Sequence, residues 1–267
     1  MLKAAILCLA AVATALGTPA RADIVIGVAG PMTGTFAVLG TGMRDGAAAA
    51  IADINRAGGV NGQMLQLEAM DDSCNPKTAD AIANQLAGKR AAMVVGHLCL
   101  AASLAAAPVY FAHRIVEISP GTTWPAYTDA RPGIGIYRLA GRDDAQGPAA
   151  GAFLARRFAD KVIAFTDDKG PYGKTLADGA RTAMNAVGKR EAFIAQYDPG
   201  QKDFTALIAR LRDAKVDVLF AGGYPAEIGL LARQLRAALP GTVLFGGDTL
   251  AAGEFAEIGR ASCRERV

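Results

Sequence analysis

The sequence has 267 residues, of which 52% are hydrophobic and 20% are charged, and a formal net charge of +3 at pH 7. Lys3 and Arg21 contribute two positive charges and residues 259–267 a net two more, so the remaining residues sum to about −1. Nothing in this balance suggests a nucleic-acid-binding protein, which would need a clustered basic face. The length is sufficient for one large or two modest domains.

Residues 1–22 have the pattern of a secretory signal peptide. Lys3 supplies a positive start, the run from Ala4 to Leu16 is apolar, and Ala20 and Ala22 fit the small-residue cleavage pattern. A membrane anchor is the alternative, but this run is well short of the ~20 residues that span a bilayer. We therefore predict cleavage after Ala22 and a periplasmic location, with residues 1–22 removed.

The chain then alternates short β-rich runs with longer helical segments. The predicted strands are residues 24–29, 65–70, 91–96, 114–119, 162–167, 191–197, 216–223 and 242–247. Repeated alternation of strand and helix predicts parallel sheets in an α/β architecture. No second apolar run approaches membrane-spanning length.

The series of alternating strands and helices runs twice along the chain. Within residues 137–148 a strand gives way to a polar, glycine-containing turn before a new helix begins, which indicates a crossing between two lobes. We predict an N-terminal α/β lobe over residues 23–140 and a C-terminal α/β lobe over residues 141–258. Residues 259–267 lack apolar periodicity and resemble a translated sequencing adapter, so we interpret them as an artefact; an ordinary basic tail is the alternative.

Two cysteines, Cys74 and Cys99, each follow a predicted strand. In an exported protein, an isolated cysteine pair more often forms a disulfide than a metal or redox site. Ligands of open α/β sheets bind outside the carboxyl ends of the strands. We therefore predict a Cys74–Cys99 disulfide that joins two loops at the mouth of a binding site and stabilises the fold by ~3 kcal/mol.

Several other kinds of site do not fit the sequence. The glycines after the first strand lack dinucleotide-binding spacing, and only two residues separate Gly170 from Gly173 where a phosphate-binding loop needs four. His97 and His113 are expected to be structural, and neither a nucleophile elbow nor a zinc-ligand spacing is present. We therefore expect no cofactor, no metal and no enzymatic activity.

Seven segments in order resemble one known family over essentially all of residues 23–258. They are DDSCNPKTADAIANQL, VVGHLCLA, ISPGTTWP, QGPAAGAF, DDKGPYGKTLADG, QKDFTALIARL and AGGYPAEIGLLARQ. Together they are similar to the periplasmic leucine/isoleucine/valine-binding proteins, the receptors of branched-chain amino acid ABC importers. The resemblance implies a type I periplasmic binding fold, with two Rossmann-like lobes that close on a ligand and a disulfide matching Cys74 and Cys99.

The resemblance also implies the roles of individual residues. Gly121 would offer its carbonyl to the ligand ammonium, Thr123 its hydroxyl to the carboxylate, and Asp248 would stand where the family has a glutamate for the ammonium. Tyr172 and Tyr224 would present aromatic rings from the second lobe. These groups suit a zwitterion, which needs acceptors for its cation, donors for its anion and apolar walls for its side chain.

Two further positions depart from the family pattern. Leu100 stands where the family usually has a serine that donates to the carboxylate, and Leu39 where an aromatic residue lines the pocket. Ser103, or backbone N–H groups at the start of the helix after Cys99, would then supply the missing donor. The family chain also continues further, so the second lobe is expected to be incomplete here.

The resemblance implies a monomeric receptor that captures a branched-chain or related amino acid and delivers it to the permease and ATPase subunits of an inner-membrane importer. Two alternatives stay open. One is a ligand-sensing receptor or amide-sensor domain on the same fold. The other is an exported enzyme on an α/β scaffold.

Overall fold

The computed structural model describes residues 23–251, 253 and 255. The predicted signal peptide, residues 256–258 of the predicted second lobe and the predicted adapter-derived tail lie outside the described residues. Within the described ranges the chain forms two parallel sheets flanked by helices. The predicted α/β class with two parallel sheets is therefore confirmed.

The first sheet has five strands in the order β2-β1-β3-β4-β5, and all neighbours pair in parallel. Its strands are β1 Ile24–Gly30, β2 Leu65–Asp71, β3 Met93–Gly96, β4 Val116–Ser119 and β5 Ile136–Arg138. The short strand β5 is the one that precedes the predicted crossing.

The second sheet has four strands in the order β7-β6-β8-β9, again all parallel. Its strands are β6 Ile163–Asp167, β7 Ile194–Gln196, β8 Val218–Gly222 and β9 Val243–Gly246. Every residue of β6 and β8 is buried, because helices cover both faces of a parallel sheet. This burial fits the apolar sequence of β8 and the apolar first part of β6, which ends in the buried polar residues Thr166 and Asp167.

Eight α-helices connect the strands of the described chain. They are α1 Ala37–Arg56, α2 Pro76–Gly88, α3 Leu100–Ala112, α4 Ala126–Asp129, α5 Asp143–Arg157, α6 Pro171–Ala186, α7 Thr205–Asp213 and α8 Pro225–Ala238. A short 3-10 helix follows β9 at Asp248–Ala251. Across the described ranges, no helix combines the length and the apolar composition needed to cross a membrane.

Each sheet reverses its strand order at one point. The order reverses between β1 and β3 in the first sheet and between β6 and β8 in the second. Loops that leave the carboxyl ends of such strands diverge to opposite faces and leave a crevice between them. The segments after β1, β3, β6 and β8 are therefore where a ligand cleft is expected.

The helices α5 and α6 approach closely because glycines occupy their contact. A Cβ atom added at Gly151 would lie 2.0 Å from the backbone oxygen of Ala180. We expect Gly151→Ala to destabilise the protein by about 1–3 kcal/mol, because overpacking outweighs the gain in helix propensity of about 1 kcal/mol. Thermal unfolding measures this change.

Gly46→Ala is the matched control, because Gly46 lies within α1 and an added Cβ would meet no atom within 4 Å. Only the propensity gain remains there, so the melting temperature should rise slightly. A rise for Gly151→Ala equal to that for Gly46→Ala would contradict close packing of α5 against α6.

Candidate functional site

A cavity of about 610 Å³ lies between the two sheets at the carboxyl ends of their strands. All seven residues that the resemblance implies for the ligand line this one cavity: Leu39, Leu100, Gly121, Thr123, Tyr172, Tyr224 and Asp248. Its size is within the range of small-molecule sites, which hold ligands in clefts of roughly 300–1,000 Å³. The structure therefore brings together side chains that are more than 200 positions apart in the sequence.

The first-lobe wall includes the predicted disulfide. Cys74 and Cys99 are bonded, with their Cα atoms 5.4 Å apart, and both line the cavity. Asp72 reinforces the same connection, since its Oδ1 accepts from the Cys74 amide at 2.8 Å and its Oδ2 lies 2.5 Å from Nδ1 of His97. The loops after β2 and β3 are thus joined by one covalent bond and one buried polar pair.

His97 has a structural role in this wall. It is fully buried, and its Nε2 lies 3.1 Å from the hydroxyl of Tyr110. Its backbone carbonyl accepts hydrogen bonds from the hydroxyls of Ser119 at 2.5 Å and Thr122 at 3.1 Å. These bonds hold the segment after β4, which carries Gly121 and Thr123, against the loop after β3.

The expectation that Ser103 supplies the missing carboxylate donor does not fit the structure. Ser103 is fully buried and does not line the cavity, and its hydroxyl lies 2.7 Å from Oγ1 of Thr122. The other expected source, the start of the helix after Cys99, borders the cavity. Helix α3 begins at Leu100, and Leu100 and Ala101 both line the cavity, where the first amides of a helix lack intrahelical partners.

The second-lobe wall is built from two tyrosines and an aspartate. Tyr172 lies in the first turn of α6, and its hydroxyl donates to Oδ1 of Asp248 at 2.6 Å. Tyr224 lies directly before α8, and its ring packs against Tyr172 with centroids 5.3 Å apart. Burial raises the pKa of both tyrosines, and Asp248 raises the pKa of Tyr172 further, so both stay neutral hydrogen-bond donors.

Sequence reasoning did not assign several other lining residues, among them Phe36, Met43, Trp124 and Asp143. Phe36 places an aromatic ring in the lining, three positions before Leu39. Its ring packs edge-on against Tyr224 of the opposite lobe, with centroids 4.8 Å apart. An aromatic residue directly before α1 was the signal that could have identified it.

The charge of the described cavity lining is negative. Asp143 and Asp248 line it, and no lysine, arginine or histidine does. Arg138 lies nearby but is directed elsewhere, since its guanidinium donates to the backbone oxygens of Thr122 at 3.2 Å and Trp124 at 2.9 Å. Nor do the described residues contain a group of three or more histidine, cysteine or acidic side chains that could hold a metal ion.

The chain matches known proteins over most of its length. The model of the periplasmic binding protein family matches residues 23–262. An amino acid binding protein of Pseudomonas aeruginosa is 42% identical, over 83% of this chain and 59% of its own length. Leu/Ile/Val-binding protein homolog 1 of Brucella abortus is 40% identical, over 91% of this chain and 66% of its own length. The chain thus spans roughly three-fifths to two-thirds of these relatives.

Solved structures share the fold. The branched-chain amino acid substrate-binding protein LivJ of Streptococcus pneumoniae, in complex with isoleucine, aligns with a TM-score of 0.78 and 24% identity, covering 90% of this chain and 68% of LivJ. A solute-binding protein of an R. palustris ABC transporter, in complex with benzoate, aligns with a TM-score of 0.76 and 20% identity, covering 90% and 66%. With the family model spanning nearly the whole described chain, these matches show that the chain belongs to the periplasmic binding protein family.

Proposed function

We propose that this protein is an extracytoplasmic solute-binding protein of an ABC importer, which binds a branched-chain or related amino acid by closure of its two lobes. The observation that carries the proposal is the convergence of all seven implied ligand residues on one cavity between the lobes. The named functions of the relatives from Pseudomonas and Brucella support the same ligand class.

The lining offers a partner for each part of an amino acid. The Gly121 carbonyl and Asp248 suit the ammonium, since the Tyr172 hydroxyl donates to Oδ1 of Asp248 and not to Oδ2. The first amides of α3 suit the carboxylate, and the Thr123 hydroxyl would donate to it on turning away from the Asp143 carboxyl. Phe36 and Leu39 provide an apolar wall for the side chain.

The wider setting of this function belongs to the same proposal. We infer export to the periplasm after cleavage behind Ala22, action as a monomer, and delivery of the ligand to the permease and ATPase subunits of an inner-membrane importer. The lobes would span residues 23–140 and 141–258. The observed passage from the first sheet to α5, which packs on α6, supports that division.

The test is a melting-temperature panel on the full-length protein with the proteinogenic amino acids, benzoate and 4-hydroxybenzoate. At a concentration of about 100 times Kd, mass action stabilises the folded state by about 2.7 kcal/mol. For a protein of this size, leucine, isoleucine or valine should therefore raise the melting temperature by roughly 5–10 °C. Calorimetric titration then gives the stoichiometry and Kd.

The two aromatic acids serve as the opposing ligands, because the benzoate complex shows that the fold also accommodates an aromatic carboxylate. A folded protein that responds to no amino acid, or that responds only to the aromatic acids, would overturn the proposal.

A further inference from the structure

Trp124, the one tryptophan of the sequence, lines the cavity and is only partly buried. Among the described residues, no aromatic ring and no cation packs on its indole, and the indole N–H has no hydrogen-bond acceptor. Aromatic side chains usually bury their rings, and a tryptophan N–H usually finds a partner. An indole left open in a cleft is typical of a binding surface, where it supplies a large apolar area.

The backbone at Trp124 is firmly held, in contrast to its ring. The Trp124 carbonyl accepts hydrogen bonds from the guanidinium of Arg138 at 2.9 Å and from the amide of Tyr127 at 3.2 Å. The next residue is Pro125, whose ring fixes one backbone dihedral. A preorganised segment therefore presents the indole to the cleft, which lowers the entropic cost of a contact with a ligand.

Phe36 brings a second ring to the same cavity. It lies directly before α1, and its side chain is partly buried. The start of α1 is packed closely against the preceding loop, because a Cβ added at Gly40 would lie 1.9 Å from the backbone oxygen of Pro31. Within the described ranges, Phe36 contacts one other ring, that of Tyr224, and it does so edge-on.

The two tyrosines of the lining already have partners for their rings. The hydroxyl of Tyr172 donates to Asp248, and its ring packs on that of Tyr224. The ring of Tyr224 contacts both Tyr172 and Phe36. Trp124 and Phe36 are therefore the rings of the lining that are most open to the side chain of a ligand.

We propose that Trp124 and Phe36 contact the side chain of the ligand, so that the cleft prefers an amino acid with an aromatic side chain to one with a branched aliphatic side chain. This inference rests on the proposed function and specifies its ligand class. Aromatic rings attract one another in edge-to-face and offset-stacked contacts beyond the effect of the area that they bury. An aliphatic side chain gains only the effect of the buried area. Met43, which also lines the cavity, can re-pack around a larger ring because its side chain is unbranched and flexible.

The test compares the Kd values of leucine and phenylalanine by calorimetry on the full-length protein. Each ring contact should favour phenylalanine by about 2- to 10-fold, so the wild type should bind phenylalanine more tightly than leucine. Trp124→Leu and Phe36→Leu should each lower this preference by about the same factor. Phe111→Leu is the matched control, because Phe111 lies in α3, is 43% exposed and does not line the cavity. Its preference should equal that of the wild type.

The ratio of the two Kd values distinguishes a ligand contact from a structural role. Phe36→Leu also removes the ring contact with Tyr224. Loss of a contact between the lobes would weaken the binding of both amino acids by the same factor and leave the ratio unchanged. Ratios equal to that of the wild type in both Trp124→Leu and Phe36→Leu would therefore overturn the inference, even if both variants bind more weakly.

The outcomes separate this inference from the proposed function. If the wild type binds leucine at least as tightly as phenylalanine, the inference fails and the proposed function stands. If the wild type binds no amino acid of the panel, the proposed function fails and the inference fails with it. If one of the two variants does not fold, the ratios of the wild type and the other variant decide.

Discussion

Replacing both Cys74 and Cys99 by serine should lower the free energy of unfolding by about 3 kcal/mol. The bond closes a loop with a sequence separation of 25 residues, and its loss restores that freedom to the unfolded chain. It also releases the loops after β2 and β3 at the cleft. Urea denaturation of the oxidised wild type and the double variant measures the difference.

A reducing agent provides the control for this prediction. It should destabilise the wild type by a similar amount and leave the double variant unchanged. Equal denaturation midpoints for the oxidised wild type and the double variant would show that the bond does not stabilise the fold. The Asp72 contacts with Cys74 and His97 would then account for the connection of the two loops.

Glu117→Gln should stabilise the protein at pH 8 by an amount on the order of 3 kcal/mol and have little effect near pH 4.5. Glu117 lies fully buried in β4, and its Oε2 has no hydrogen-bond partner among the described residues. Burial raises its pKa to about 8, although the His97 amide and Tyr127 lower it. At neutral pH the folded state therefore holds a proton that the unfolded state releases.

The sign of the effect follows from this difference in proton binding. Between about pH 4.5 and pH 8 the folded state binds more protons at Glu117 than the unfolded state, so stability falls as the pH rises. The glutamine side chain does not ionise, so the variant lacks this pH dependence. The difference in melting temperature between Glu117→Gln and wild type should therefore grow across this window and level off above it.

Glu68→Gln is the control, because Glu68 is a strand glutamate that pairs with Lys89 at the surface at 2.8 Å. Such a pair contributes little, about 0–1 kcal/mol. The difference in melting temperature between Glu68→Gln and wild type should therefore not grow between pH 4.5 and pH 8. A constant difference between Glu117→Gln and wild type over this range would contradict a raised pKa for Glu117.

The strands and the general position of the site could be predicted from the sequence because both depend on local patterns. Buried parallel strands are continuous apolar runs, and all eight predicted runs overlap observed strands. The cysteines Cys74 and Cys99 mark loops at the carboxyl ends of two of them. The resemblance then identified which loop residues to assign to the cavity.

What could not be predicted depends on how separate segments pack. The orientation of Phe36 toward Tyr224 arises only when the two lobes lie against each other. Asp143 is buried next to the segment after β4, where its backbone amide donates to the carbonyl of Thr123 at 3.1 Å. Ser103 follows the expected loop, but helical periodicity turns its hydroxyl away from the cavity and toward Thr122.

If the lobes close on a ligand as proposed, the ring contact between Phe36 and Tyr224 contributes to that closure from within the protein. Such a pair is worth about 0.5–1.5 kcal/mol, or up to roughly tenfold in an equilibrium constant. A contact between the lobes shifts the population toward the closed form for every ligand alike. On the proposed function, the contact between the two rings would therefore add the same increment to the affinity of every ligand, whereas direct contacts of the ligand with Phe36 or Asp248 would determine the ranking. Affinity and selectivity can thus change independently in this cleft.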